Sequence, residues 1–553
     1  MSESIEEVVF GGGLTVRVAR EVAAAAEPVL AQLLADGVPA KLAAKDATLW
    51  GPDAQAEAAI RLGWVDTFQR SRDLLPQLAE LCEELADLDH VVLAGMGGSS
   101  LAPEVIALTL GKRLTVLDTT DPGQLATALA DRLDRTVVVV SSKSGGTVET
   151  DSHRRAYLQA FLDSGLSPAE AGRHFVVVTD PGSPLEATGR EMGAFVLLAD
   201  PDVGGRYAAL TAFGMVPTAL AGVDVAELLD QAEEFATTLT GDTGNPAFTL
   251  GAVLGAAALR GRDKLALVDD GSGITGLGDW AEQLIAESTG KQGSGILPVV
   301  VETPISAGAT GSDVLTATIG GALGVGAVPG SGVVPHVSVN GPLGAQFLCW
   351  EVATAVAGRV LGIDPFDQPN VTESKQNTNK ILDEGLPAAT PSFTEGAIVG
   401  YGEANSLETA SLEGALRALL GATGEHGYLA VMAYLDRFAD ADTAKLRELL
   451  AAASGRPVTF GWAPRFLHST GQYHKGGPQA GAFLQITGDA AADLAVPGRP
   501  YTFGQLQAAQ AAGDRQALSG RDRPLLHLHL TDRAKGIAQL LDVAARLQSH
   551  KER

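Results

Sequence analysis

The sequence predicts an α/β fold made of doubly wound parallel sheets in tandem, and three observations predict it. Short apolar runs such as His90–Ala94 and Thr136–Val140 are continuous rather than alternating, as strands buried on both faces are. Helical stretches such as Pro122–Leu133 and Thr150–Ser164 separate them, an alternation that favours right-handed βαβ units. The length of 553 residues exceeds one ordinary domain and leaves room for two or three, at roughly 100–200 residues each.

Taken in order, residues 22–82 are rich in Ala and Leu at helical spacing, as in Val29, Leu30, Leu33 and Leu34, then Leu74, Leu75, Leu78 and Leu81. Residues 1–59 are therefore expected to form an N-terminal helical arm. A first sheet follows in 60–222, from His90–Ala94, Leu114–Asp118, Thr136–Val140, Phe175–Thr179 and Gly193–Leu198. The joint lies near Gly222–Val225. A second sheet in 223–385 takes Lys264–Val268, Ile296–Val301 and His336–Asn340, with helices at Gly276–Ser288, Pro342–Leu361 and Val371–Leu382. The long uncharged stretch Val314–Trp350 is punctuated by Gly and Pro, so it reads as buried strand and loop rather than a membrane span. Ala388–Ser406, rich in Pro, Thr, Gly, Ser and Glu, reads as a connection. Beyond it, Tyr428–Tyr434, Val458–Trp462, Ala482–Thr487 and Leu525–Leu530 make 386–553 a C-terminal α/β segment.

Composition narrows the function. Hydrophobic residues at 45% and charged residues at 19% describe a globular chain. A net charge of −26 repels nucleic acids and anionic membranes, yet leaves room for a small phosphorylated ligand held by local donors. The two cysteines, Cys82 and Cys349, form no disulfide framework or CxxC pattern, and the acidic N-terminus has no basic and apolar leader. A cytoplasmic protein is expected.

Several motifs carry chemistry. Ala94–Ser100 (AGMGGSS) follows a strand directly; its glycines let backbone N–H groups approach an anion, and Ser99 adds a hydroxyl beside Gly98. Ser141–Thr150 (SSKSGGTVET) also follows a strand. Ser142, Ser144 and Thr147, with Lys143 and the start of a helix, have the makeup of a phosphate cradle, although a Ser-rich helix cap reads similarly. Val203–Tyr207 (VGGRY) sets Arg206 behind Gly204 and Gly205, either as a surface turn or as a cation against developing negative charge.

In Gln283–Lys291 (QLIAESTGK), Gln283 and Glu287 share a helix face near its C-terminus, where the helix dipole does not favour a carboxylate. Glu287 is thus a candidate general base; the bland alternative is an exposed pair with Lys291. Phe366–Lys375 (FDQPNVTESK) places Gln368 before a helix that carries Lys375. His468–Gly477 (HSTGQYHKGG) holds His468 and His474, without the further ligands that a metal site needs.

Together these motifs resemble the glucose-6-phosphate isomerase (phosphoglucose isomerase) family of tandem sugar-isomerase (SIS) domains. Ser142-Lys143-Ser144-x-x-Thr147 is similar to the family's sugar-phosphate loop, Val203–Tyr207 to its Gly-Gly-Arg-Tyr signature, and Gln283–Lys291 to the segment with its catalytic glutamate. Phe366-Asp367-Gln368 with Lys375 resembles its final segment. The resemblance covers about 88–385 in order. It departs at the histidine: the His-Ser-x-Gly-Gln-Tyr string, which precedes that final segment in ordinary members, follows it here at His468. The layout is similar to the isomerase half of transaldolase–isomerase fusions. His474 is the rival for the histidine's role, with His336 a distant third.

The resemblance implies interconversion of glucose 6-phosphate and fructose 6-phosphate, in glycolysis and gluconeogenesis. His468 and Lys375 would open the ring, Glu287 would move the proton through a cis-enediolate, and Arg206 would stabilise it. Gly98, Ser99, Ser142, Lys143, Ser144, Thr147, Gly205, Gln283 and Gln368 would bind substrate. It implies no cofactor or metal, and a homodimer, because family members typically borrow a histidine from the neighbouring subunit. Mannose 6-phosphate specificity and a non-catalytic sugar-phosphate sensor are the alternatives.

Overall fold

The computed structural model describes residues 6–241, 243–324, 335–403 and 410–549. Among them the chain opens with β1 (Glu6–Gly11) and β2 (Leu14–Ala19), an antiparallel hairpin where a helical arm is expected. The reason is local: Leu14, Val16 and Val18 alternate with polar residues and are fully buried, a period of two that marks a strand. The helix of this region starts only at Arg20.

The first sheet holds β3 (His90–Gly95), β4 (Thr115–Leu117), β5 (Thr136–Ser141), β6 (Phe175–Thr179) and β7 (Phe195–Leu198). All its pairings are parallel, in the order β4-β3-β5-β6-β7. The order reverses between β3 and β5, so the crevice beyond their carboxyl ends is where an open α/β sheet takes its ligand. Both strands end there in the two glycine- and hydroxyl-rich loops.

The second sheet holds β8 (Lys264–Asp269), β9 (Leu297–Val300), β10 (Val314–Gly320) and β11 (Val337–Asn340). Its order is β1-β2-β11-β10-β8-β9, with β2 antiparallel to β11 and the rest of the core parallel. The uncharged stretch thus supplies β10, β11 and the helix Leu343–Leu361, which is buried through most of its length and stops at Gly362 with φ 72. Its apolar character comes from a core position. No helix among the described residues is long and apolar enough to cross a membrane. The glycines at 326, 330 and 332 lie outside the described residues.

The third sheet holds β12 (Phe393–Glu395), β13 (Ile398–Glu403), β14 (Tyr428–Tyr434), β15 (Val458–Trp462), β16 (Gly481–Gly488) and β17 (Leu525–Leu530). Its order is β12-β13-β17-β16-β14-β15. The β12–β13 hairpin lies within the stretch that reads as a connection. Hydrophobic burial ties the sheets together. One core runs from Leu93 and Val139 of the first sheet to Leu267 and Ile319 of the second. The opposite face of the second sheet, at Ala266, Val268 and Val299, packs on Tyr428, Ala430 and Met432 of the third. Val496 and Phe503 of the third unit join Val138 and Val140 on the outer face of the first. The C-terminal segment is therefore a separate sheet that touches both others.

Candidate active site

The three loops of the first unit lie at carboxyl ends of its strands. After β3, Gly97–Ser99 forms one tight 3-10 turn, with buried Gly98 and Ser99. A Cβ on Gly98 would lie 1.9 Å from the carbonyl oxygen of Gly205, so only glycine lets this turn seat on the Gly204-Gly205-Arg206 backbone. Gly97 has φ +54, and a Cβ there would come within 2.8 Å of both Gln283 Nε2 and the His468 carbonyl oxygen. One glycine turn thus meets the second unit on one side and the third unit on the other.

Arg206 is almost fully buried and rigidly held. Its Nε donates to Ser288 Oγ at 2.8 Å, Nη1 to Gln368 Oε1 at 2.7 Å, and Nη2 to the carbonyls of Pro365 and Asp367 at 2.7 and 3.0 Å. Four of the five guanidinium N–H groups are used. Nη1 also lies 3.4 Å from Glu287 Oε1.

Glu287 stands in the last turn of the helix Leu277–Thr289, where Gln283 Nε2 donates to its Oε2 at 3.0 Å. Gln283 is buried and its own Oε1 has no partner. Lys291 does not pair with Glu287. Its Nζ donates to Asp367 Oδ1 at 2.5 Å and to the Asp364 carbonyl. Burial, then the Arg206 charge, push Lys291 down to about 8 against the pull of Asp367. The helix end and the Phe-Asp-Gln segment are thereby clamped together, and the Glu287 carboxylate is left to face Arg206.

His468 ends the 3-10 turn Arg465–His468 that follows β15. Its Nε2 donates to Glu149 Oε1 at 3.1 Å within the same chain. Glu149 is a buried acid in the first turn of the helix Val148–Asp163, where the helix dipole favours an anion. Burial alone would raise its pKa, but the His468 charge and hydrogen bond, with Lys375 nearby, hold it down at about 2. Thr147, Glu149, Lys375, His468 and Gln510 line one cavity, with Lys375 at an exposed position on the helix Val371–Glu384.

Arg465 docks this turn on the first unit, with Nε 2.6 Å from Asp118 Oδ2 and Nη2 against Glu104. Gln472 ties the following helix to the second unit, donating to the Gly290 carbonyl at 3.0 Å and to Asn370 Oδ1 at 2.8 Å.

The rival histidines lie elsewhere. His474 is sealed in the third unit, with its Nδ1 2.9 Å from the Tyr428 hydroxyl and its ring stacked on Tyr428. Burial, with Lys475 and Arg523 adding to it, holds it well below the ordinary histidine range. His336 accepts from the Thr316 amide and lies 3.6 Å from Glu21, just before β11 in the second sheet.

In the hydroxyl loop, Ser142 Oγ and Thr147 Oγ1 are 2.9 Å apart, and Ser144 Oγ accepts from the Gly146 amide at 3.3 Å. The Lys143 side chain departs from expectation. Its Nζ donates to Asp180 Oδ2 at 2.6 Å and to the Asp200 and Pro201 carbonyls, so its charge is matched by a half-buried carboxylate instead of standing open for a phosphate. Sequence reasoning also gave no role to Glu149, Arg465 or Gln510. An acid two residues past a hydroxyl loop was the one local signal for Glu149.

Residues 82–294 match the family model described as phosphoglucose isomerase. A glucose-6-phosphate isomerase of Carboxydothermus hydrogenoformans is 30% identical over 252 residues, covering 39% of this chain and 52% of that protein. One from Clostridium perfringens is 27% identical over 393 residues, covering 58% of this chain and 86% of that protein. The crystal structure of a glucose-6-phosphate isomerase from Chlamydia trachomatis shares the fold with TM-score 0.54 and 20% identity, over 68% of this chain and 90% of that one. The chain spans about half the length of the first curated relatives it matches.

Proposed function

We propose that this chain, a member of the glucose-6-phosphate isomerase (phosphoglucose isomerase) family, interconverts glucose 6-phosphate and fructose 6-phosphate. The observation that carries the reading is the meeting of three units at one glycine turn: Gln283 with Glu287 and Arg206 on one side, His468 on the other. A sugar-phosphate sensor has no need of a carboxylate, a fixed guanidinium and a histidine–carboxylate pair in one place.

The chemistry divides among them. Ring opening needs a proton delivered to the ring oxygen and one removed from the anomeric hydroxyl, which His468 and Lys375 supply. Glu149 holds the His468 ring in place by accepting from its Nε2. The open sugar then loses a proton from one of C1 and C2 to Glu287 and regains it on the other. A single carboxylate that reaches both carbons suffices.

Arg206 stabilises the enediolate oxygen without giving up a proton, and its four fixed hydrogen bonds hold it in place beforehand. The hydroxyls of Ser142, Ser144 and Thr147, with the amides opening the helix Val148–Asp163, orient the phosphate and hence the carbons over Glu287. Lys143 shapes that loop through Asp180.

Because His468 reaches Glu149 of its own chain, one chain holds this pair even in a homodimer, the assembly that the family resemblance suggests. A cytoplasmic location fits Cys82 and Cys349, both free thiols. The test is a solution assay that starts from fructose 6-phosphate and resolves the products by NMR. Glucose 6-phosphate is the expected product. Mannose 6-phosphate alone would move the specificity, and saturable binding without turnover would make the chain a sensor.

A further inference from the structure

Glu149 Oε1 accepts two side-chain donors, and both come from the third unit: His468 Nε2 at 3.1 Å and Gln510 Nε2 at 2.7 Å. Gln510 lies on the helix Phe503–Ser519 and is almost fully buried. Its amide is oriented from the far end, because Thr120 Oγ1 donates to Gln510 Oε1 at 2.8 Å and leaves Nε2 to point at the carboxylate. Thr120 is itself fully buried, in the first unit. The four groups form one connected series, Thr120 to Gln510 to Glu149 to His468, that crosses three times between the first and third units. The same helix holds the second unit too: at Gly513 a Cβ would lie 2.9 Å from Thr378 Oγ1, on the helix that carries Lys375.

We propose that Gln510 is a positioning residue for ring opening, fixing the carboxylate of Glu149 so that it holds the His468 imidazole at the sugar ring. Charge-assisted hydrogen bonds to a buried carboxylate are the strong ones, and two donors on one oxygen restrict how the group can rotate. Without Gln510, Glu149 keeps its charge but loses the direction that aims His468. The step that follows, proton transfer by Glu287, does not involve this series and proceeds unchanged. This inference rests on the isomerase reading.

The experiment separates ring opening from proton transfer. Fructose 6-phosphate is compared with 5-deoxyfructose 6-phosphate, which lacks the hydroxyl that closes the furanose and is permanently open. Exchange of the C1 proton with solvent deuterium reports the Glu287 step on the open sugar. Gln510→Met keeps the bulk of the side chain and removes the donor. It is expected to lower kcat on fructose 6-phosphate by about 10–100-fold, below the full range for losing an acid–base group, and to leave exchange on the open sugar within about twofold.

Thr120→Val, which touches Glu149 only through Gln510, should act in the same direction by about 3–10-fold, and the double variant should be no slower than Gln510→Met alone. Equal losses on both substrates, an unchanged kcat on fructose 6-phosphate, or multiplicative effects in the double variant would each overturn the assignment. If Gln510→Met does not fold, Thr120→Val decides alone by the same substrate split. A wild-type protein inactive on both sugars would instead sink the isomerase reading, which keeps the two failures apart.

Discussion

The second and third sheets share a plan and differ in what they contribute. In each, the parallel core places its second strand beside its first, then the third and fourth on the other side (β9-β8-β10-β11 and β15-β14-β16-β17). In each, an antiparallel hairpin closes the edge beside the fourth strand, β1–β2 in one and β12–β13 in the other. The site takes opposite ends of the two. Glu287 ends the helix after β8, and such a helix runs antiparallel to its strands, so the carboxylate sits at the amino end of the second sheet. His468 follows β15 directly, at the carboxyl end of the third. One sheet places the Glu287 carboxylate against Arg206 and the other the His468 imidazole against Glu149. The comparison teaches that strand order locates a crevice but does not determine which end is used.

The largest effect should come from the second sheet. Glu287→Gln keeps the hydrogen bond geometry with Gln283 but removes the base. It should lower kcat by about 10²–10⁴, on open and closed sugars alike, with KM nearly kept. Near-normal turnover in steady-state assays would remove Glu287 from the role. The third sheet should show the complementary split. His468→Ala should slow fructose 6-phosphate by about 10² while sparing deuterium exchange on the open sugar. His474→Phe makes the contrast: it leaves the Tyr428 hydroxyl without its partner and should cost about 1–3 kcal/mol of stability, with ring opening intact. A ring-opening defect in His474→Phe, with His468→Ala unaffected, would exchange their roles.

Arg465 tests how firmly the third unit must sit. Its ion pairs with Asp118 and Glu104 anchor the turn that ends in His468. Arg437 also pairs with Glu104, at 2.7 Å, and the two arginines hold that carboxyl at about 2 against the effect of burial. Arg465→Met removes one cation from a buried network, which costs about 3–5 kcal/mol where a pair is broken. The melting temperature should fall, and kcat on fructose 6-phosphate should drop about tenfold through loss of His468 placement. A fall in stability with full activity would mean that Gln472 and the sheet contact suffice to place the histidine.

These contrasts match what local sequence could and could not convey. The parallel strands were legible because runs such as Val137–Val140 are short, β-branched and followed at once by turn-forming residues. Glu287, Arg206 and His468 stood out as candidates because the strings that hold them, taken as a set, resemble those of one family. The β12–β13 hairpin was not legible, since Gly396, Gly400 and Gly402 interrupt Phe393–Glu403 and its second strand is completed only by pairing with β17. Glu149 and Gln510 were hidden for a related reason. An acid in a first helical turn and a glutamine on an Ala-rich helix are ordinary alone, and they acquire meaning only when the fold brings residues 361 apart to 2.7 Å. Lys143 misled in the opposite direction: its place in a phosphate-like string was evident, but its counter-ion lies 37 residues away.

Lys143 supplies the smallest and most diagnostic prediction. Because Asp180 matches its charge, the pair is nearly neutral toward a phosphate in the adjoining hydroxyl loop. Lys143→Ala therefore removes more than a cation: it leaves the Asp180 carboxylate, held half-buried, as a bare negative charge beside that loop. Such a charge acts on a phosphate with an effective dielectric near 20, where one unit charge at several ångströms is worth about 1–2 kcal/mol after screening. KM should rise by about 3–10-fold with kcat nearly unchanged. The double variant Lys143→Ala with Asp180→Asn removes both charges and should return KM to within about twofold of wild type. A phosphate held directly by the Lys143 ammonium predicts the reverse, a KM that stays high in the double variant, so steady-state kinetics on the pair decides whether the loop binds by its hydroxyls and amides or by its lysine.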